Sequence, residues 1–145
     1  MKYKHILLCA DSSETTKRVV SHAKEIAKVF GAEITVLSVY QANVAIPTNL
    51  SLPKEIYEKI RKENDLGAKK VVDEIVHELT ITGVNAGGLV QEGIAKKIIC
   101  DSAKKLSCDL IIMGTRKHSE MTNYLGSTSS YVINNTPNIP VLVVD

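Results

Sequence analysis

Two glycines frame a polar segment near the C-terminal end of this sequence. The apolar run Ile111 to Met113 ends at Gly114, and a second glycine, Gly126, is followed by the hydroxyl-rich stretch Ser127 to Ser130. Glycine lets the backbone approach a ligand closely, and the unpaired N–H groups of a helix's first turn carry partial positive charge. If a helix begins at Ser127, the segment is suited to hold a phosphate group.

Five short apolar runs predict the strands that position this segment. The first run is continuous and does not alternate with polar residues, which is typical of a strand covered on both faces. The third run contains Asn85 and a pair of glycines, which lower its strand propensity and favour a place at the edge of the sheet. The predicted strands are β1 (Ile6 to Ala10), β2 (Ile34 to Val39), β3 (Val84 to Val90), β4 (Leu110 to Met113) and β5 (Pro140 to Val144).

Apolar residues at steps of three and four predict a helix after each of the first four strands. For the first helix, Ser12 or Ser13 is a candidate N-cap and Gly31 lies just past the end. The second is weakened at Gly67 and stopped by Gly83, and it follows an aperiodic loop from Tyr40 to Pro53. The predicted helices are α1 (Val19 to Phe30), α2 (Ile56 to Leu79), α3 (Ala95 to Leu106) and α4 (from Ser127, ending before Pro137).

The strict alternation of strands and helices predicts the fold class. Parallel neighbours require crossover connections, so the chain is expected to form an α/β fold with an open, doubly wound, five-stranded parallel sheet and helices on both faces. Its 145 residues fit a single domain over residues 1–145. In such sheets ligands bind beyond the carboxyl ends of the strands. If β1 lies beside β4, the loop Asp11 to Thr15 meets the segment between Gly114 and Ser127.

Composition limits the classes of function. A formal net charge of +2 is too small to indicate binding to nucleic acid or to a membrane surface. Three widely spaced cysteines, Cys9, Cys100 and Cys108, argue against a disulfide framework or a zinc site, and the histidines lack metal-ligand spacing. We expect buried, inert thiols and a cytoplasmic protein. No apolar run approaches the roughly 18 residues of a membrane span.

The residues at both ends of the chain resemble the universal stress protein family. The family's adenine-nucleotide motif is a glycine, two residues, a second glycine, nine residues, and a third glycine followed by serine or threonine. Gly114 matches its first position and Gly126-Ser127 its last pair, and the run Pro140 to Val144 is also similar to the family. Asp11 follows β1 where members have an aspartate that contacts ribose or base. The resemblance implies a Rossmann-like, adenine nucleotide alpha hydrolase-like fold with strand order 3-2-1-4-5.

The resemblance also implies the ligand, the partners and the role of the protein. The ligand is ATP or another adenine nucleotide, with or without Mg²⁺, and Val39 offers a backbone contact to adenine. The role is regulation in a stress response, with dimerisation through the last strand, Val141 to Val144, and an unidentified signalling partner. The candidate nucleotide-binding residues are Cys9, Ala10, Asp11, Val39, Met113, Gly114, Arg116, Lys117, Gly126, Ser127 and Thr128.

Two departures from the motif keep an alternative open. Lys117 stands in place of the second glycine, and the spacer from His118 to Leu125 is one residue short. The alternative is a family member that binds no nucleotide and acts as a dimeric protein-interaction module. The candidate residues also have simpler explanations: Asp11 and the hydroxyls of Ser127, Thr128 and Ser129 could only cap helices, and the glycines could only form turns.

No catalytic constellation is evident in the sequence. A nucleophile, a base and an orienting group cannot be assembled from it, and a Walker-type Gly-Lys-Ser/Thr sequence is absent. The loop Asp11 to Thr15 also lacks the glycine pair with which adenylating enzymes wrap a pyrophosphate. We therefore expect binding without dedicated catalysis, and at most slow ATP hydrolysis.

Overall fold

The computed structural model describes residues 2–41, 52–115 and 125–145. These residues form five strands and four helices in strict alternation. Their bounds are β1 His5–Cys9, α1 Thr15–Phe30, β2 Glu33–Tyr40, α2 Lys54–Ile81, β3 Ala86–Glu92, α3 Ala95–Lys105, β4 Leu110–Gly114, α4 Ser127–Asn135 and β5 Val141–Val144. No helix in the described part of the chain is long and apolar enough to cross a lipid bilayer.

All neighbouring strands of the sheet are parallel, and their order is β3-β2-β1-β4-β5. The predicted α/β class, strand order and edge position of β3 are confirmed. The chain adds β2 and then β3 on one side of β1, and β4 and then β5 on its other side. The winding therefore reverses between β1 and β4. A ligand crevice is therefore expected at the carboxyl ends of these two strands.

The helices cover both faces of the sheet, as predicted. One face carries the apolar residues of α1 and α2, such as Val19, Ala23 and Leu79, against Ile6 and Ile112. The other face carries those of α3 and α4, such as Ile99 and Val132, against Leu7 and Ile111. In the central strands β1 and β4, which are covered on both sides, consecutive residues are apolar and buried, which explains the lack of alternation in their sequences.

The start of α1 differs from the prediction. Its N-cap position is Glu14, with helical φ of −62°, and no side chain caps the helix, so the proposed caps Ser12 and Ser13 are wrong. The Ser13 N–H instead donates to Asp11 Oδ1 at 2.8 Å. The segment forms a turn around the aspartate before the helix begins. At the other end Gly31 adopts φ 69°, the left-handed conformation predicted for the residue after the helix.

Two other boundaries shift for local reasons. The helix α2 passes through Gly67 without interruption and ends at Ile81, two residues later than predicted and two residues before Gly83, which has φ 91°. The strand β3 begins at Ala86 rather than Val84, because the Val84 N–H donates to the Leu79 carbonyl and closes the end of α2. Propensity alone does not reveal which backbone partner wins at such a junction.

Candidate functional site

A cleft of ≈ 280 Å³ opens at the carboxyl ends of the strands. Its volume lies near the lower end of the ~300–1,000 Å³ typical of small-molecule sites. All nine of the predicted site residues that the structure describes line it: Cys9, Ala10, Asp11, Val39, Met113, Gly114, Gly126, Ser127 and Thr128. The fold thus collects in one place groups that are separated by more than a hundred positions in the sequence.

Asp11 lies where the chain leaves β1. Its Oδ1 atom accepts hydrogen bonds from the Ser13 N–H and the Thr16 hydroxyl, both at 2.8 Å. Thr16 Oγ1 in turn accepts the Asp11 N–H at 3.2 Å. Thr16 is buried in the first turn of α1, so these bonds hold the aspartate in one orientation at the rim of the cleft. Asp11 orders the turn that precedes α1.

The opposite wall is formed by the end of β4 and the start of α4. Gly126 occupies the N-cap position, with φ −59° and ψ 155°, and no side chain among the described residues caps the helix. The explanation of Ser127, Thr128 and Ser129 as N-cap residues is therefore wrong. Ser129, which is buried, instead donates its hydroxyl to the Gly114 carbonyl at 3.4 Å. The residues of the first turn of α4 line the cleft, and the N–H groups of a helix's first turn attract anions.

A largely apolar wall lies between these two polar rims. It is formed by Leu37 and Val39 of β2, Ile99 of α3 and Met113 of β4. Tyr40 lies at its edge and donates its hydroxyl to Asp65 Oδ1 at 3.1 Å. Desolvation and this hydrogen bond raise the pKa of Tyr40, which keeps its hydroxyl protonated. The cleft combines an apolar slot with polar groups at its ends.

Cys9 contributes a protonated thiol to the floor of the cleft. Desolvation, reinforced by Cys108, Cys100 and Asp11, raises the pKa of the Cys9 thiol to about 12. At neutral pH the thiol is therefore uncharged. Because the thiolate is the nucleophilic form, Cys9 is not expected to act as a nucleophile. The side chain is half-buried rather than fully buried as predicted, because it faces the cleft, whereas Cys100 and Cys108 are buried.

Several residues that line the cleft were not predicted from the sequence. Thr16 and Thr115 are buried polar residues beside the predicted aspartate and glycine, and their position next to those motif residues was the available signal. Gly93 and Ala95 line the cleft from the turn between β3 and α3. Nothing in their own sequence marks them, because only the pairing of β2 with β3 brings that turn to the same edge. The candidates Arg116 and Lys117, with His118 and positions 42–51 of the predicted loop, lie outside the described residues.

Comparison with known proteins identifies the family. The Universal stress protein family matches residues 2–145, almost the full chain. Universal stress protein MJ0531 of Methanocaldococcus jannaschii is 33% identical over 145 residues, covering 98% of this chain and 82% of the relative. This chain belongs to the universal stress protein family. The resemblance seen in the sequence is confirmed.

Solved structures carry the same fold as this universal stress protein. The hypothetical protein MJ0577 superposes with a TM-score of 0.83 at 28% identity, covering 99% of this chain and 96% of that chain. The universal stress protein from Archaeoglobus fulgidus in complex with dAMP has a TM-score of 0.71 at 20% identity, with 100% of both chains covered. At that identity the second likeness establishes the Rossmann-like fold, and its ligand belongs to that protein.

Proposed function

We propose that this universal stress protein binds an adenine nucleotide, ATP or a related compound, in the cleft and acts as a regulator in a stress response. The observation that carries the proposal is the convergence of the nine described candidate residues on one cleft. They lie in or next to β1, β2, β4 and α4, and they include the start of α4 and a fixed carboxylate. A protein of the same fold is solved with dAMP, which supports an adenine nucleotide as the ligand.

The phosphates are assigned to the start of α4. The N–H groups of Ser127 and Thr128 lie in the first turn, which has no side-chain cap. Gly114 ends β4 beside that turn and adds no side chain to the cleft wall. Backbone N–H groups at a helix start, together with the helix dipole, favour an anion at this position. Arg116 and Lys117 remain proposed as charged contacts to the phosphates.

The nucleoside is assigned to the other end of the cleft. We assign the adenine ring to the apolar wall of Leu37, Ile99 and Met113, and a contact with its edge to the backbone of Val39; all four residues line the cleft. Asp11, held by Thr16, is assigned to the ribose or base. A carboxylate oxygen accepts hydrogen bonds from ribose hydroxyls, which gives specificity within a mostly apolar site.

Binding rather than turnover is the proposed chemistry. In the described part of the cleft Asp11 is the only carboxylate and no histidine is present. Mg²⁺ bound with ATP would therefore take most of its ligands from the phosphates and water. Since Asp11 is assigned to the ribose or base and not to the phosphates, no base in the described part of the cleft is assigned to activate water there, and we expect at most slow hydrolysis.

The proposed assembly is a cytoplasmic homodimer. The strand β5 lies at one edge of the sheet, where its outward N–H and carbonyl groups would pair with a second copy of Val141–Val144. All three cysteines are free, which fits a reducing compartment. We propose that nucleotide occupancy is read by a signalling partner through this dimer.

The test of nucleotide binding is a thermal unfolding shift on adding ATP, combined with mass spectrometry of the undenatured protein. We expect a higher Tm at millimolar ATP and one nucleotide per chain. The Gly126→Val variant should bind ATP at least about tenfold more weakly, because its side chain would enter the space of the phosphate. Gly126 has φ −59°, which valine adopts freely, so the variant should fold.

A matched control is Gly87→Val, which makes the same change in β3. A Cβ atom at Gly87 meets nothing within 4 Å, and the residue lies outside the cleft. This variant should keep the wild-type affinity for ATP. Unchanged affinity in Gly126→Val would place the phosphates elsewhere.

A second candidate function is a dimeric interaction module without nucleotide. The observation that favours it is Lys117 in place of the second motif glycine. Absence of both a bound nucleotide and a thermal shift at millimolar ATP, in a wild-type protein that still dimerises, would select this candidate.

A further inference from the structure

Thr115 lies between the two halves of the proposed phosphate site and is firmly anchored in the sheet. It is 8% exposed, and its N–H donates to the Val144 carbonyl at 3.0 Å. The preceding Gly114 is packed so closely that an added Cβ would lie 2.9 Å from Thr15 Cγ2. The backbone at this point is therefore held by β5 on one side and by α1 on the other.

Its hydroxyl reaches across to the start of α4. The Gly126 N–H donates to Thr115 Oγ1 at 3.3 Å, although the two residues are 11 positions apart in the sequence. The Ser129 hydroxyl donates to the Gly114 carbonyl at 3.4 Å, over a separation of 15 positions. Both hydrogen bonds connect the end of β4 to the first turn of α4. The side chains thus join two elements that the chain itself connects only through a long segment.

We infer that Thr115 is a positioning residue for the phosphates, an inference that rests on the proposed nucleotide-binding function. Its hydroxyl sets the distance between Gly114 and the first turn of α4, so that the N–H groups of Ser127 and Thr128 already converge before a ligand arrives. A site ordered in advance avoids the entropic cost of ordering at binding. Ser129 provides the second connection.

The inference predicts an effect confined to the phosphate part of the ligand. The groups assigned to the nucleoside are Asp11, in the turn after β1, and Val39 with the apolar wall, on β2, α3 and β4. None of them depends on the start of α4 for its position. Loss of the Thr115 hydroxyl should therefore weaken the binding of ATP and AMP, and leave the binding of adenosine nearly unchanged. A general loss of stability would instead weaken all three ligands together.

The experiment is calorimetric titration of wild type, Thr115→Val and Thr115→Ser with adenosine, AMP and ATP. Thr115→Val keeps the shape of the side chain without the hydroxyl, and should raise the Kd for ATP about five- to tenfold, the effect of one hydrogen bond at such a site. The Kd for adenosine should change less than about twofold. Thr115→Ser restores the hydroxyl and should restore the affinity for ATP. Thr115→Ala provides the same test if the valine variant does not fold.

Thr136→Val is the matched control at the other end of α4. Thr136 is 2% exposed, and its hydroxyl donates to the Val132 carbonyl at 2.7 Å, outside the cleft. This variant should lower the Tm without changing the ratio of the ATP and adenosine affinities. An unchanged ratio in Thr115→Val, or a failure of Thr115→Ser to restore it, would overturn the inference. If the wild-type protein binds none of adenosine, AMP and ATP, the proposed function itself fails, which is a different result.

Discussion

Two side chains that lie two positions apart at the end of β1 have different chemical states. Asp11 accepts two hydrogen bonds at 2.8 Å, which suit a carboxylate at the rim of a cleft. Cys9 faces the same cleft from its floor, where desolvation raises the pKa of its thiol to about 12. Hydrogen bonding stabilises a charged carboxylate, whereas loss of solvent disfavours a charged thiolate. The end of this strand is therefore built to orient a ligand rather than to attack it.

The state of the cysteines can be measured by alkylation with iodoacetamide at pH 8. Burial raises the pKa of both Cys9 and Cys108 from 9.0 to about 12, which lowers their thiolate fractions about a thousandfold. Since the thiolate is the reactive form, we expect both thiols in the native protein to react at least about a hundredfold more slowly than in urea. Peptide mapping by mass spectrometry gives the rate for each site. Comparable native and unfolded rates would show that the thiols are not desolvated.

At the scale of elements, the contact between α2 and β3 explains a feature that looked unfavourable in the sequence. The pair Gly87-Gly88 lowers the strand propensity of β3, but the two glycines have different surroundings. A Cβ at Gly88 would lie 2.4 Å from Val72 Cγ1, whereas one at Gly87 would meet nothing within 4 Å. The absence of a side chain at Gly88 lets α2 pack closely on the edge of the sheet.

We expect Gly88→Ala to destabilise the protein by about 1–3 kcal/mol, the usual cost of overpacking a core contact. The displaced neighbour is Val72, which is itself buried and cannot move into solvent. Gly87→Ala is the matched control on the adjacent residue and should be neutral or slightly stabilising, because alanine reduces the freedom of the unfolded chain. Urea unfolding measures both free energies. Equal effects of the two substitutions would contradict this packing.

At the scale of the whole molecule, the sheet has two edges with different sequences. β5 consists of four aliphatic residues and lies at one edge, and β3 lies at the other. The N–H groups of Ile111 and Thr115 donate to the Pro140 and Val144 carbonyls. Since the bonds of a parallel strand alternate, Val141 and Val143 direct their N–H groups away from β4. These groups are the ones that a second copy would pair with.

Val143→Pro tests the proposed dimer by removing one outward N–H group while leaving the pairing of β5 with β4. Proline is tolerated on an edge strand when its nitrogen faces away from the sheet. We expect the wild type to sediment as a dimer and the variant as a monomer, with an unchanged far-ultraviolet circular dichroism spectrum. Val90→Pro makes the same change on the other edge strand, β3. The hydrogen bonds that the N–H groups of Ile34 and Gly93 make between β2 and β3 fix the alternation of β3, so that the N–H of Val90 points away from β2. This variant should leave the dimer intact. A dimeric Val143→Pro variant would locate the interface elsewhere.

Much of this fold follows from local patterns in the sequence. Apolar runs such as Ile6 to Ala10 and Leu110 to Met113 predict buried strands, steps of three and four residues predict helices, and Gly31 takes the left-handed conformation its position predicts. The errors occur at junctions such as Ser13 and Val84, whose N–H groups donate to the Asp11 carboxylate and to the Leu79 carbonyl. At the buried Val84, local preference is small compared with the cost of leaving the N–H group unpaired.

The fold class, the family and the two segments that carry the candidate site follow from the sequence alone, because residues close together in the chain indicate each of them. How those segments meet follows only from the folded chain. The structure sets Asp11 opposite the start of α4, pairs the Thr115 hydroxyl with the Gly126 N–H, and shows that Gly88 makes room for α2 on the sheet. These are contacts between residues far apart in sequence, which depend on how strands pair and on where buried groups find partners.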